Sequence, residues 1–388
     1  MEFREMGKTG VKLSPLGFGV MRLPLKNGGK TANDTTIDNV DVDTSIAMIR
    51  HAIDEGVNYF DTAYNYVSGS SEVILGQALK DGYREKVYVA SKSPAWLYKA
   101  PEDFDRFLNE QLERLQMDYI DFYLLHSMNG GSWKKSVRNN AVESMVRAKA
   151  EGKVKHIGFS FHDDLELFEE ILNAADWDFC QIQLNYYDRD YQAGVKGAKM
   201  AAERGMGVVV MEPLRGGLLV DLPKSVQEVF DASSYDRSNV EWSFDWLWDM
   251  PEVSCVLSGM TTPQQLDENI TYMRRASVGM LSDDEHAVID AAKAALDAKA
   301  AIPCTGCNYC VDMCPNKIAI PYNFRAYNMG VLYDNMDLAK EFYAEEVTSY
   351  GRRAEHCTSC GTCEEICPQH IKISEWLPKV DELLNTDK

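Results

Sequence analysis

Ten residues of this chain are cysteines, and eight of them fall after residue 300. The stretch Cys304-Thr-Gly-Cys307-Asn-Tyr-Cys310-Val-Asp-Met-Cys314-Pro315 has the spacing C-x2-C-x2-C-x3-C-P. Three thiolates so spaced, on a loop tightening into a turn, can face one cubane cluster. The fourth, starting the next element, ligates the other cluster where two such clusters sit together. That arrangement needs a second copy, and the chain has one in Cys357-Thr-Ser-Cys360-Gly-Thr-Cys363-Glu-Glu-Ile-Cys367-Pro368. The expected sets are Cys304, Cys307, Cys310 with Cys367, and Cys357, Cys360, Cys363 with Cys314. Zinc sites present paired Cys-x2-Cys knuckles instead of three evenly spaced cysteines. Disulfides belong to exported proteins. Two [4Fe-4S] clusters are the reading.

A second set of candidates lies far upstream, where short apolar runs end in polar residues. One run ends Phe60-Asp61-Thr62-Ala63 with Tyr66 just beyond, the next ends Ala90-Ser91-Lys92, and a third ends Leu124-Leu125-His126. Alone, His126 reads equally well as a rim histidine, and Lys92 as a surface lysine. Together they make a chemical set. A tyrosine, with an ordinary pKa of about 10, holds its proton too tightly to be a ready acid at neutral pH. A nearby ammonium lowers that value, and a carboxylate behind the ammonium fixes its position and charge. Tyr66 could then give a proton to a carbonyl oxygen as hydride reaches its carbon, with His126 holding that oxygen by hydrogen bond.

The elements that must position these groups repeat along residues 1–275. Apolar runs at 16–21, 58–63, 87–92, 120–126, 156–161, 179–185, 207–213 and 254–259 alternate with amphipathic stretches such as 101–116 and 164–174. Runs this short and apolar suit parallel strands buried on both faces. Eight of them, over roughly the 250 residues usual for the fold, predict a (β/α)8 barrel, an α/β class, with its site where strands end. A doubly wound sheet is the competitor, but no G-x-G-x-x-G follows the first strand. Ahead of the barrel, residues 3–18 predict a hairpin turning at Lys8-Thr9-Gly10, and residues 25–41 a polar loop above the barrel. Residues 215–237 make another long connection, and 281–300 a helix joining barrel to tail. Residues 321–353, aromatic-rich and helical in pattern, predict a small, mainly helical ferredoxin-like tail. The expected domains are 1–280 and 281–388.

The run Phe60-Asp61-Thr-Ala-Tyr-Asn-Tyr66, followed by Gly69, Ser71-Glu72 and Leu75-Gly76, resembles the signature of the aldo-keto reductases. The resemblance spans about residues 1–275. It implies a catalytic tetrad of Asp61, Tyr66, Lys92 and His126, and it selects Tyr66 over the neighbouring Tyr64. It also implies a nicotinamide cofactor, NAD(P)H, lying extended without a Rossmann motif. Ser160 and Gln181 match the family's carboxamide contacts, although Phe161, followed by His162, stands where an Asn is usual. Met211, Pro213, Leu214 and Gly216 fall where the family covers the nicotinamide and pyrophosphate. Gly259, Met260, Gln265, Glu268 and Asn269 fall in its adenosine-binding segment. The Lys and Arg with which many members grip a 2′-phosphate are replaced here by Gly259 and Gln265. NADH is therefore expected to bind at least comparably to NADPH, with Arg215, Arg274 and Arg275 the remaining basic candidates. Cys180 and Cys255, in strands, read as buried structural thiols.

The formal charge of −20 over 388 residues argues against nucleic acid and anionic membranes, which attract basic surfaces. The charged N-terminus lacks a signal-peptide run, and no segment approaches a membrane span, so a cytoplasmic, reducing location is expected. The functional expectation is hydride transfer between nicotinamide and a small carbonyl or alcohol, with clusters that exchange electrons, a redox partner protein among the possible takers. The alternative is a redox-sensing or docking tail whose clusters regulate, recruit or only brace the barrel.

Overall fold

The structure is a computed structural model that describes residues 2–29, 31, 35–299, 301–332, 335–348 and 351–385, the side chain of Glu345 excepted. It begins with a short antiparallel hairpin, β1 Arg4–Glu5 with β2 Lys12–Leu13, whose turn closes at Gly10 in the left-handed region. A repeating strand and helix pattern follows: β3 Leu16–Gly19, α1 Val42–Asp54, β4 Tyr59–Asp61, α2 Ser70–Ala78, β5 Tyr88–Ser93 and α3 Asp103–Leu115. It continues through β6 Ile120–Met128, α4 Gly130–Arg138, α5 Ala141–Ala150, β7 Val154–Phe161, α6 Leu165–Leu172, β8 Phe179–Gln183 and α7 Gly194–Glu203. The set finishes with β9 Gly207–Met211, α8 Lys224–Asp231, α9 Asn239–Asp249, β10 Cys255–Ser258 and α10 Pro263–Met273.

Strands β3 to β10 pair in sequence order, all parallel, and β10 pairs back onto β3, which closes a barrel. This is the eight-stranded architecture that the apolar runs predict. Helix α3 shows why such segments wrap the barrel. Its buried residues Phe104, Phe107, Leu108, Gln111 and Leu115 recur at helical spacing and form one face. The hairpin stops one end of the barrel, where Met6 and Leu13, both fully buried, join Phe122, Phe179, Val209 and Cys255 in one cluster. Arg4 holds that end together by donating to the carbonyls of Trp248, Met250 and Val253.

By packing, the chain divides into two compact units. One holds residues 1–213 and 244–280, and the other holds 214–243 with 281–388. The connection 214–243, grouped with the barrel on sequence grounds, thus packs with the tail. Its α8 buries Val226 and Phe230 and packs against α11 Asp283–Asp297. Arg237 also pairs with Glu285, and Phe230 stacks on Trp242.

The tail continues with α12 Tyr309–Met313, α13 Ile320–Leu332, α14 Met336–Glu346, α15 Thr362–Glu365 and α16 Ile373–Leu384. Its own core joins Ile318, Phe324, Tyr343, Val347, Leu377 and Val380 to the buried cysteines. The polar stretch at 25–41 is described in part, with a bridge between Leu25 and Val40; residues 30 and 32–34 lie outside the described residues, as do 333–334 and 349–350 of the expected helical stretch. Among the described residues no helix is long and apolar enough to cross a membrane.

Candidate active site and cluster-binding cysteines

Adjacent strands β4, β5 and β6 end at the same rim of the barrel, and their register brings Asp61, Lys92 and His126 together. Lys92, 1% exposed, extends its ammonium to three oxygens. It donates to Asp61 Oδ1 at 2.5 Å, to the Thr62 carbonyl at 2.8 Å and to the Tyr66 hydroxyl at 3.2 Å. The Tyr66 ring meets the His126 ring edge-on, with centroids 5.7 Å apart. All four expected residues are therefore in one buried cluster. Burial pushes the Lys92 ammonium down and the Asp61 carboxyl up, and the contact between them opposes both shifts. Burial, then the Lys92 and His162 charges, hold His126 well below the usual imidazole range. His126 is thus neutral at physiological pH and serves as an uncharged hydrogen-bonding group.

The backbone around this cluster is strained. Val67 and Ser68, just past Tyr66, and Ser127, just past His126, adopt positive φ values of 53°, 50° and 54°. A β-branched residue there is a genuine outlier, and such conformations cost about 1–3 kcal/mol each. The irregularity at Ser127 also shifts the pairing of β6 with β7 between Leu125 and Met128, so the strand runs on past His126.

A second buried network braces Lys92 from behind. Glu72, fully buried, accepts from Ser91 Oγ at 2.6 Å and Gln111 Nε2 at 2.5 Å. Gln111 Nε2 also reaches the Lys92 carbonyl at 3.1 Å, while Arg114 donates to Glu72 and to the Tyr64 carbonyl. Tyr64 points its hydroxyl at Glu110 instead of at the cluster. Trp96, on the loop after β5, places its ring 5.0 Å from His126. An aromatic residue just beyond the strand that ends in Lys92 was the available signal.

Ser160 and Gln181 are register partners on β7 and β8. Gln181 Nε2 donates to Asp61 Oδ2 at 3.3 Å, and its Oε1 is buried with no hydrogen-bond partner. Ser160 Oγ accepts from the Ser127 amide at 2.7 Å and keeps its hydroxyl proton to give. A primary carboxamide, with N–H donors and one carbonyl, would satisfy both side chains. The residues present therefore fit a nicotinamide. Phe161 and His162, both buried, occupy the place where an Asn was looked for.

The adenosine-side expectations fare unevenly. Gln265 Oε1 accepts from the amides of Thr261 and Thr262, so it closes the capping box of α10. Asn269, buried, donates to Ser258 Oγ inside the barrel wall. Glu268 accepts from Gln264 on the helix surface. Gly259 is exposed and Met260 buried. Met211 ends β9 and Pro213 follows it in the first unit, whereas Leu214 and Gly216 belong to the second.

The tail cysteines face two hollows. Cys304, Cys307, Cys310 and Cys367 line one, and Cys314, Cys357, Cys360 and Cys363 line the other. These are the exchanged sets that the C-x3-C spacing implies. Asn328 bonds both the amide and the carbonyl of Ile302, which pins the chain just before Cys304. The Cys304 loop is also covered: Gly216, at a φ of +65°, lies so near that an added Cβ would meet the Thr305 carbonyl at 2.5 Å. Among the described residues no three His, Cys, Asp or Glu side chains converge as a single-ion site requires.

Against known proteins, residues 15–294 match the model of the aldo/keto reductase family, and residues 303–371 match that of a 4Fe-4S dicluster domain. The chain is 28% identical to L-galactose dehydrogenase of Arabidopsis thaliana over 303 residues, covering 72% of this chain and 91% of that protein. It is 27% identical to the NADH-specific methylglyoxal reductase of Escherichia coli, covering 69% of this chain and 92% of that protein. A solved aldo/keto reductase from Klebsiella pneumoniae, in complex with NADP and acetate, superposes with a TM-score of 0.59 at 23% identity, covering 75% of this chain and 95% of that one.

Proposed function

Because the chain belongs to the aldo/keto reductase family and carries a C-terminal 4Fe-4S dicluster domain, we propose that it is a nicotinamide-dependent carbonyl or alcohol oxidoreductase equipped for one-electron exchange. A bound nicotinamide would supply or accept the hydride at the substrate carbon. Tyr66 would give its hydroxyl proton to the carbonyl oxygen in reduction and recover it in oxidation. The Lys92 ammonium, 3.2 Å from that hydroxyl, lowers the cost of the phenolate that forms. Asp61 holds Lys92 in place and in its charged form. His126, kept neutral, would donate to the substrate oxygen without adding a charge to the pocket. Ser160 and Gln181 would hold the carboxamide. The observation that carries this reading is the single ammonium shared by Asp61 and Tyr66 at the end of a closed parallel barrel.

The eight tail cysteines would hold two [4Fe-4S] clusters, each taking one electron at a time, whereas nicotinamide exchanges two. A one-electron carrier protein or a second redox substrate is therefore the partner class that the tail calls for. The test is a screen of anaerobically purified protein for NAD(P)H oxidation by aldehydes and ketones, methylglyoxal among them, and for NAD(P)+ reduction by alcohols and sugars, L-galactose among them. Potentiometry with electron paramagnetic resonance runs beside it. Turnover of a carbonyl together with clusters reducible at accessible potentials supports the reading. Clusters that resist reduction, in a protein that still turns over, would leave the barrel assignment standing and reduce the tail to a brace.

A further inference from the structure

The two hollows of the tail are built from one cysteine motif used twice, and their loops turn alike. The residue two past the first cysteine and the residue one past the second have positive φ in both copies. They are Gly306 at 68° and Asn308 at 68°, then Ser359 at 55° and Gly361 at 79°. The surroundings differ. Every residue lining the hollow of Cys304, Cys307, Cys310 and Cys367 is buried or half-buried, with Phe324, Ile371 and Ile373 among them. Around the hollow of Cys314, Cys357, Cys360 and Cys363, by contrast, Pro315, Asn316, Thr358, Ser359 and Cys360 are exposed. No other tail cysteine is as open as Cys360.

A side chain adds a second difference. Thr362 Oγ1 donates to Cys360 Sγ at 3.5 Å, beside the Ser359 amide, which donates to Cys357 Sγ at 3.4 Å. The place matching Thr362, two residues past the second cysteine, holds Tyr309 in the first motif, which has no hydroxyl on its Cβ. Adding an electron makes a cubane and its four thiolates more negative. Water at an open edge and donors aimed at the sulfurs both stabilise that added charge, so both raise the reduction potential. Buried apolar walls act in the opposite sense.

We propose that the site of Cys314, Cys357, Cys360 and Cys363 is the electron-exchange end of the tail. It holds the cluster of higher potential, Thr362 supplies part of the difference, and a one-electron carrier protein docks over residues 358–360. The proposal rests on the two-cluster reading above. Each exchange takes one electron from the reduced site and gives it to the carrier, so one is oxidised and the other reduced by a single unit, with no bond made or broken. An electron on the buried site runs downhill to the edge that faces solvent.

The experiment is potentiometry followed by electron paramagnetic resonance on the anaerobic, cluster-loaded full chain, Thr362→Val and Thr362→Ser. Wild type should show two separate one-electron steps. In Thr362→Val the upper step should move down, so that the reduced-to-oxidised ratio at fixed potential falls about threefold to tenfold, the range of one hydrogen bond. Tenfold corresponds to about 59 mV for one electron. The lower step should stay, and Thr362→Ser, which keeps the hydroxyl, should recover most of the shift. Movement of the lower step instead, or of neither, would overturn the proposal. A second arm follows stopped-flow reduction of ferricytochrome c, a basic carrier drawn to an acidic chain, by the prereduced protein. Thr358→Lys should slow that reaction at least about threefold, while Leu338→Lys, exposed on α14 and lining neither hollow, changes it by less than about twofold. Equal effects of the two lysines would overturn the docking edge. If neither cluster accepts an electron, the electron-exchange reading itself falls, and this proposal with it.

Discussion

The sharpest consequence of the buried cluster concerns Tyr66 and Lys92 taken singly and together. Tyr66→Phe keeps the ring against His126 and leaves Lys92 bonded to Asp61 and to the Thr62 carbonyl. The bond given up is the longest of the three, at 3.2 Å, so stability should fall by about 1 kcal/mol. Loss of a general acid is worth roughly 10²–10⁴-fold in rate, or about 3–5 kcal/mol of barrier. Carbonyl reduction should drop by that much while dinucleotide affinity holds. Lys92→Met removes the same assistance and in addition strands Asp61 in the interior. Breaking a buried pair costs about 3–5 kcal/mol when the remaining charge stays ionised. The Asp61 carboxyl, already pushed up by burial, would take a proton as pH falls, so the stability deficit of Lys92→Met should shrink toward acid. The assay is anaerobic single-turnover absorbance at saturating nucleotide, with the best carbonyl from the screen, beside thermal melts. The double variant should lose far less than the product of the two single losses, because both act on one proton transfer. Tyr64→Phe is the control, since its hydroxyl donates to Glu110, away from the cluster. Near-normal turnover in Tyr66→Phe with a dead Tyr64→Phe would refute the assignment, and so would independent, multiplying losses.

Anaerobically prepared protein should contain about eight irons and eight acid-labile sulfides per chain. Cys367→Ser should disturb the cluster held by Cys304, Cys307 and Cys310; spectroscopic damage confined to the other cluster would refute the exchanged ligand sets. Burial keeps His126 unprotonated in the fold, so below pH of about 6.5 the unfolded chain binds a proton that the folded one does not. Stability must then fall as pH drops through that point, by up to about 1.4 kcal/mol per unit. His126→Gln should flatten that part of the curve in pH-dependent denaturant melts, and parallel curves would refute the argument. A chain ended at residue 280 should bind hydrophobic dyes and melt early, because α8 loses its partner α11; an unchanged melting temperature would show that the connection stands without the tail.

Much of the barrel site was legible because it is local in a special sense. Parallel strands buried on both faces must be apolar throughout, so a polar residue at a strand's end stands out against its own run. Asp61, Lys92 and His126 each announce themselves that way, and parallel register then brings the three together. Residues whose role depends on a partner far along the chain gave no such contrast. Glu72 and Gln111 look like ordinary helix residues until Ser91 and the Lys92 carbonyl are found between them. Gln265 carried a second signal. Thr262-Pro-Gln-Gln265 before an apolar-periodic run is a capping-box pattern, and that pattern alone would have committed its side chain to the helix start.

The connection 214–243 shows why a domain boundary drawn by composition can separate packing partners. The cysteine count changes after residue 300, so the sequence suggests a break near 280. Burial follows a different logic. Helix α8 is strongly one-sided, with Val226 and Phe230 buried and Lys224, Ser225 and Glu228 outward. A one-sided helix has to cover its apolar face somewhere. That cover is α11, which begins beyond the supposed boundary. Arg237 makes the same crossing in charge, meeting Glu285 in the first turn of α11. Gly216 makes it in backbone, since only a residue without a side chain can come so near Thr305, the neighbour of Cys304. Three kinds of contact, apolar, ionic and steric, thus bind one insertion to the cysteine-bearing tail. The second unit is built from two segments that leave the barrel chain at Pro213 and at Met280. Its stability is consequently a property of both segments, and the tail is not an independent module appended at a linker.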